Sequence, residues 1–287
     1  MSEKVFLNDK LIDIEQASLP VTDSGFLYGA GLFETMRSYA GVVFCLEDHL
    51  DRLFASAASL AITPPYDKAY VSEAVDQVLG ANELADARLR LTLTGGPMMA
   101  AEQQRQPTLL ITATPWQPYP PEYYDTGVTV ILCPYKQNDT EPTCGHKTTS
   151  YFPRLLALGL AQRNRAAEAL WFTPDNRLAE GCVSNVFLVK DKTLCTPSVE
   201  TPVLPGIARK TVCRIAGRES MELIEKDLYI ADVLEADEVF LTNVIMEVLP
   251  VTHVEKHAVG GGKVGPVTRT LREKFTETIE QQCRRKK

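Results

Sequence analysis

Apolar and polar positions change period several times along this chain, and each change marks an element. "KVFLNDKLIDIE" holds two short apolar runs about Asn8-Asp9, the pattern of a hairpin with its turn there. "GLFETMRSYAGVVFCL" reads as two strands joined around Gly41. The period then turns helical: in "LEDHLDRLFASAASLAI", Leu46, Leu50, Leu53, Phe54, Ala57 and Leu60 fall on one face. "DKAYVSEAVDQVLGANEL" predicts a second helix that stops near Gly80. "RLRLTLTGG" alternates and predicts a strand, as does "PTLLITATP".

"PWQPYPPEYYDTG" interrupts these elements with four prolines and few aliphatics, the composition of an extended, semi-rigid linker. A domain boundary is placed there: residues 1–115 form a smaller N-terminal domain, 116–123 the linker, and 124–287 a larger C-terminal domain. In the second part, "VTVILCPY" is a buried strand and "YFPRLLALGLAQRNRAAEA" a helix that tolerates Pro153 in its first turn. "ALWFTPDNRLAEG" is a strand and turn, and "SNVFLVKDKTLCTP" a hairpin turning at "KDK". "LPGIARKTVCRIAGRES" is a helix entered through Pro205-Gly206. "DEVFLTNVIMEVLPVTHV" is strand-rich, and "VGPVTRTLREKFTETIEQQC" is a closing helix. Strands and helices mix without strict βαβ alternation, which argues for an α+β protein of two domains with a cleft between them.

Composition narrows the function. At 287 residues, 45% hydrophobic and 23% charged, the chain is that of a soluble globular protein. Its net charge of −7 argues against a nucleic-acid surface and for small-molecule chemistry. The basic "RRKK" at the end reads as a solvated terminus. Seven cysteines, an odd number with no C-x-x-C, sit partly in apolar runs, as free thiols in a reducing compartment do. A polar N-terminus and the lack of any long apolar run predict a cytoplasmic protein with no membrane segment.

Three familiar motifs fail. "GAGLFE" lacks the third glycine of a dinucleotide loop, "GGGK" at 260–263 lacks the upstream glycine of a P-loop, and the four histidines show no metal-ligand spacing. No metal site is expected. What remains is distributed. In "LPGIARKTV", Pro205 shapes a turn, Gly206 admits close backbone approach, and the Ile207 and Ala208 amides open a helix where an anion is favoured. Read alone, this is an ordinary Pro-Gly helix start. Arg52 in "HLDRL" alone is a surface charge, and Glu180 in "LAEGCVSN" alone is a turn carboxylate.

Taken in order, "DSGFLYGAGLFETMRSYAGVVFCLEDHLDRL", "HKTTSY", "LAEGCVSNVFLV", "TPVLPGIARKTV" and "DEVFLTNVIMEVLPV" resemble the class IV aminotransferases. These are the fold-type IV pyridoxal 5′-phosphate (PLP) enzymes, which include branched-chain and D-amino-acid aminotransferases and aminodeoxychorismate lyase. The resemblance runs from about residue 23 to 251. It implies a smaller N-terminal α/β domain and a larger C-terminal mixed β domain with helices, the latter carrying the PLP lysine. It implies that Lys147 is the Schiff-base lysine, that Glu180 binds the pyridine nitrogen, and that Arg52 with the Gly206, Ile207 and Ala208 backbone holds the phosphate. Tyr28, Phe33, Thr35 and Arg90 are implied near the substrate, and a homodimer in which each active site is completed by a loop of its neighbour. Two departures stand out. Val244 occupies a place where many relatives have a hydroxyl residue on the phosphate, so that contact passes to backbone or to Thr242 or Asn243. Thr35 follows "FE" where branched-chain enzymes typically have glycine and D-amino-acid enzymes valine. The activity implied is transamination between an amino acid and a 2-oxo acid, with aminodeoxychorismate lyase as the alternative and a non-catalytic PLP-binding relative as a remote one.

Overall fold

The hairpin about Asn8 forms as β1 (Lys4–Leu7) and β2 (Lys10–Asp13), with Leu7 opposite Lys10. A computed structural model describes residues 2–98 and 106–284; residues 285–287 of the basic end lie outside it. A five-residue helix, α1 (Ser24–Tyr28), comes next. The Asp23 side chain caps it by accepting from Gly25 N–H, and Gly29 ends it at φ 68°. It is too short to leave a period in the sequence. Then come β3 (Gly31–Tyr39), β4 (Val42–Val43), α2 (Leu46–Ser59), α3 (Lys68–Ala81), β5 (Ala87–Thr94) and β6 (Leu109–Pro115). The strands make one antiparallel sheet in the order β2-β1-β6-β5-β3-β4.

Strand alternation divides this sheet into two chemically distinct faces. Leu32 and Met36 of β3, Leu89, Leu91 and Leu93 of β5, and Ile111 of β6 are buried in one core with Leu50, Leu53 and Ala57 of α2 and Val71, Val75 and Val78 of α3. The intervening residues, Phe33, Thr35 and Arg37 on β3 and Thr92, Arg90 and Arg88 opposite them on β5, take the other face.

The chain divides into two compact units. The first holds the residues up to Gln117, the segment His146–Tyr151, and the chain from Ile279 onward. The placement of His146–Tyr151 differs from the sequence reading, which assigned Lys147 with 124–287. Its backbone is the reason: Phe33 N–H donates to the Lys147 carbonyl (2.9 Å) and Thr149 N–H to the Gly31 carbonyl (2.8 Å). Thr149 Oγ1 adds a bond to Gly29 O (2.7 Å), and His146 Nδ1 lies 2.9 Å from Ser56 Oγ on α2.

The second unit begins at Pro118. The proline-rich stretch is not extended throughout, as its composition predicted: Pro121 leads into a one-turn helix, α4 (Glu122–Asp125). Tyr124 of that turn packs against the core of the unit and donates its hydroxyl to Met246 O (3.1 Å). After β7 (Val128–Lys136) come α5 (Phe152–Arg163) and β8 (Glu168–Phe172). α5 ends before the expected "AAEA" because the chain reverses at Arg165, φ 58°. Next are β9 (Asn185–Lys190), β10 (Thr193–Thr196), α6 (Ile207–Arg218), β11 (Leu223–Glu225) and α7 (Ile230–Leu234). The chain closes with β12 (Glu238–Asn243), β13 (Glu247–Val254), β14 (His257–Ala258) and α8 (Pro266–Gln282). The sheet is mixed, in the order β11-β10-β9-β12-β13-β7-β8 with β14 on β13. The β10–β11, β13–β7 and β7–β8 pairs are parallel. The "KDK" hairpin turns through Asp191 and Lys192, both at positive φ. All seven cysteines are free thiols. Among the described residues no helix is long and apolar enough to cross a membrane.

The two faces of the first sheet make a prediction. Leu91→Ala, in the core, should cost about 3 kcal/mol in denaturant unfolding. Arg90→Ala, its neighbour on the open face, should change stability by no more than about 0.5 kcal/mol.

Candidate active site

Lys147 stands in an aromatic corner of the first unit. Its Nζ lies 4.6 Å from the centroid of the Phe33 ring and 5.9 Å from that of Tyr151. The two rings meet edge to face at 5.3 Å. Arg90 lays its guanidinium on the same Phe33 ring, with Cζ 3.9 Å from the centroid. Thr35 is opposite Arg90 in the register, on the face that carries Phe33. Four residues singled out from sequence, Phe33, Thr35, Arg90 and Lys147, therefore share one wall. Tyr151 was missed, although it closes the "HKTTSY" motif. Tyr28 does not join this wall through any described contact: it ends α1 with its side chain out, 68% exposed, beside Phe26 at 71%.

Behind the wall, on the core face of β3, is a buried charge cluster. Glu34 accepts from Arg52 at both oxygens (Nε to Oε1 2.8 Å, Nη2 to Oε2 2.5 Å) and from His49 Nδ1 (2.7 Å to Oε2). Burial alone would raise the Glu34 pKa. The charge of Arg52, with the hydrogen bonds from His49 and Arg52, outweighs it and brings Glu34 down to about 2. Burial lowers His49, so the ring is neutral and its Nδ1–H is the donor to Glu34. Arg52 is thus a clamped, mostly buried cation rather than the surface charge that "HLDRL" alone suggests. Glu34 and His49 were not read from the sequence. The i, i+3 spacing of His49 and Arg52 on α2 was the available signal.

In the second unit Glu180 lies in the loop between β8 and β9, buried and held from both sides. Oε1 receives Arg154 Nη2 of α5 at 2.5 Å, and Oε2 receives Leu204 N–H at 3.0 Å and, more weakly, Asn185 Nδ2 at 3.4 Å. Arg154 also donates to the Gly181 carbonyl (2.8 Å) and to Gln137 Oε1 (3.0 Å). Below the loop, Glu168 of β8 accepts from Cys182 N–H (2.8 Å), Val183 N–H (3.0 Å) and the Ser184 hydroxyl (2.9 Å). Neither Arg154 nor Glu168 was singled out from sequence.

The start of α6 is built for an anion. Gly206 is its N-cap and supplies no capping side chain, while Ile207 and Ala208 are buried. A buried helix start without a cap leaves N–H groups that need an acceptor. A Cβ at Gly206 would fall 1.9 Å from Asn185 Oδ1, so only glycine allows this approach. Thr242, paired with Asn185 in the β12–β9 register, is buried with no hydrogen-bond partner for its hydroxyl among the described residues. The Asn243 side chain is occupied differently. Its Oδ1 accepts from Ile245 and Met246 N–H (both 2.8 Å) and its Nδ2 donates to Val183 O (3.0 Å), which fixes the turn that holds the buried Val244.

The family described as amino-transferase class IV matches residues 31–254. The chain belongs to the class IV aminotransferase family. It is 35% identical over 277 residues, 96% of either chain, to a putative branched-chain-amino-acid aminotransferase of Methanocaldococcus jannaschii. It is 29% identical over 285 residues to a D-alanine aminotransferase of Listeria monocytogenes, covering 98% of this chain and 97% of that one. Aminodeoxychorismate lyase of Bacillus subtilis is also 29% identical, over 287 residues, with 98% and 97% covered. Among solved structures, the Escherichia coli branched-chain amino acid aminotransferase superposes with a TM-score of 0.92 at 27% identity, over 100% of this chain and 97% of that one. A second branched-chain amino acid aminotransferase, solved with pyridoxamine 5′-phosphate, gives 0.92 at 25% identity, over 98% and 95%.

Enzymes of this family depend on PLP. The residues present suit that group: an amine at Lys147, a fixed carboxylate at Glu180, and for a phosphate the uncapped α6 start with the unpartnered Thr242 hydroxyl.

The Glu34 cluster sets an acid dependence. Its folded pKa of about 2 lies below the ordinary 4.5, so its contribution is complete above pH 4.5 and is lost as pH falls toward 2. That contribution is on the order of 3 kcal/mol. Glu34→Gln should be destabilised at neutral pH, and its gap to the parent protein should narrow on acidification from pH 5 to about pH 3. Guanidinium unfolding at each pH measures the gap, and a constant gap contradicts the assignment.

Proposed function

We propose that the chain is a PLP-dependent aminotransferase that moves an amino group between an amino acid of branched-chain or D-amino-acid type and a 2-oxo acid. The observation that carries this reading is the Lys147 amine in its aromatic corner, with Arg90 stacked on the same Phe33 ring. The bound cofactor supplies the electron sink that the protein lacks. Lys147 would hold it covalently through its amine and, once the substrate's amine takes its place, would be the base that moves the α-proton. Glu180 meets the pyridine nitrogen. The Gly206 turn, the Ile207 and Ala208 amides, the Thr242 hydroxyl and the Arg52 guanidinium take the phosphate. The Asn243 side chain, already committed to its own turn, supports this strand end rather than the ligand. Phe33, Thr35 and Arg90 line the substrate, with Arg90 oriented for a carboxylate.

The protein acts as a homodimer in this reading. The exposed Phe26 and Tyr28 of α1 form the apolar edge that a second copy covers, and Tyr28 serves the neighbour's substrate.

A second reading, aminodeoxychorismate lyase, draws support from Arg88 and Arg90, both exposed on one sheet face. That face suits a substrate with more than one carboxylate, and a lyase relative matches 98% of the chain.

The test is spectral. Protein purified with PLP should exchange its visible cofactor band for that of pyridoxamine phosphate when given an amino donor, with L-leucine, L-glutamate and D-alanine as the first panel. Lys147→Ala should abolish the covalent cofactor band and lower turnover about 10²–10⁴-fold. If no donor shifts the band while aminodeoxychorismate yields pyruvate, the lyase reading replaces this one.

A further inference from the structure

Resting on the reading that Glu180 meets the pyridine nitrogen, we infer that Arg154 is a positioning residue that offsets the Glu180 charge and so limits how firmly that nitrogen holds a proton. The pair is direct. Arg154 Nη2 lies 2.5 Å from Glu180 Oε1. The same guanidinium is tied to the backbone of the loop that Glu180 opens, through the Gly181 carbonyl (2.8 Å) and the Cys182 carbonyl (3.3 Å). It is tied to β7's exit through Gln137 Oε1 (3.0 Å), and its Cζ lies 5.5 Å from the Trp171 ring centroid. Five contacts from three directions fix this cation, so its charge is a permanent part of the Glu180 environment.

The consequence follows from elementary electrostatics. A lone carboxylate beside a pyridine nitrogen favours the protonated ring, and a cation a few ångströms further on opposes it. On its other oxygen the donors to Glu180 among the described residues are neutral, Leu204 N–H and Asn185 Nδ2, so Arg154 is what offsets the charge of the group. The other titratable groups of this neighbourhood include Glu168, Lys136, Glu141, Cys133, Cys144 and Cys182. None of these bonds to Glu180 among the described residues. Burial pushes the three thiols up, which leaves them uncharged at neutral pH. The nitrogen's proton is therefore governed by the carboxylate–guanidinium pair. An electron sink set this way is weaker than one facing a free carboxylate.

The experiment uses the holoenzyme loaded with PLP carrying ¹⁵N in the ring. Parent, Arg154→Gln, Arg154→Lys and Glu180→Gln proteins are compared by ¹⁵N NMR over pH 6–9. Arg154→Gln should move the ring resonance toward its protonated position and raise the midpoint of its titration by about one pH unit. Arg154→Lys, which keeps a charge on α5, should stay near the parent. Glu180→Gln should move the resonance the other way. If Arg154→Gln matches the parent, or moves with Glu180→Gln, while Glu180→Gln shifts as stated, the role of Arg154 is overturned and the Glu180 assignment stands. If Glu180→Gln itself leaves the resonance unchanged, Glu180 does not meet the nitrogen, and both readings fall.

Discussion

One backbone hydrogen bond decides where Lys147 stands in this chain: Phe33 N–H to the Lys147 carbonyl, 2.9 Å. A lysine in a polar loop has four rotatable side-chain bonds and no fixed address. Pairing its peptide with the first residues of β3 fixes where its Cα sits and so which surfaces the side chain can reach, and the Thr149 bonds to Gly31 and Gly29 repeat the anchoring two residues on. The bond also fixes which ring the amine meets, because the donor is Phe33 itself. Loop, strand and aromatic wall are thus one construction.

β3 can play this part because a strand has two faces. Its odd-numbered residues place Phe33, Thr35 and Arg37 on the face away from the helices, and its even ones carry Leu32, Glu34 and Met36 into the core. Glu34 is the exception among those apolar neighbours, and it is tolerated because Arg52 and His49 satisfy its oxygens. The same arrangement draws Arg52 down from the helix surface and holds its guanidinium still. Removing Glu34 would leave a buried arginine without its principal partner, so the core of this sheet and the placement of Arg52 cannot be altered independently.

The strands, helices and hairpins with strong periods were legible from residues alone, as in the alternation of "RLRLTLTGG" and the helical face of Leu46 to Leu60. α1, α4, β11, α7 and β14 were not, because two to five residues carry too little pattern. The segment around Lys147 was assigned with the residues that flank it in sequence. Its true partner is β3, more than 100 positions earlier, and hydrophobic period carries no record of such a bond. Phe33, Arg90, Lys147 and Glu180 were reached through motif resemblance, which supplies residues of known role. Tyr151 and Arg154, which touch Phe33 and Glu180, and His49 and Glu168, which hold Glu34 and the Glu180 loop, were reached only through contacts, since a second layer is defined by what it touches.

Three buried carboxylates show how the chain assigns different duties to one functional group. Glu34 is neutralised by a bidentate arginine and serves to immobilise that arginine. Among the described residues Glu168 bonds to no cation; Cys182 and Val183 N–H and the Ser184 hydroxyl satisfy it, while burial pushes its pKa up. Such a group suits a purely architectural task, because N–H donors are fixed by the backbone and bring no charge of their own. Here the task is to hold the loop on which Glu180 sits, where a Cβ on Gly181 would strike Ser184 Oγ at 2.3 Å. Glu180 combines both solutions, an arginine on one oxygen and a backbone N–H on the other. This mixture both fixes the carboxylate and offsets its charge: amides alone would leave its full charge, and an arginine alone would leave its second oxygen unsatisfied.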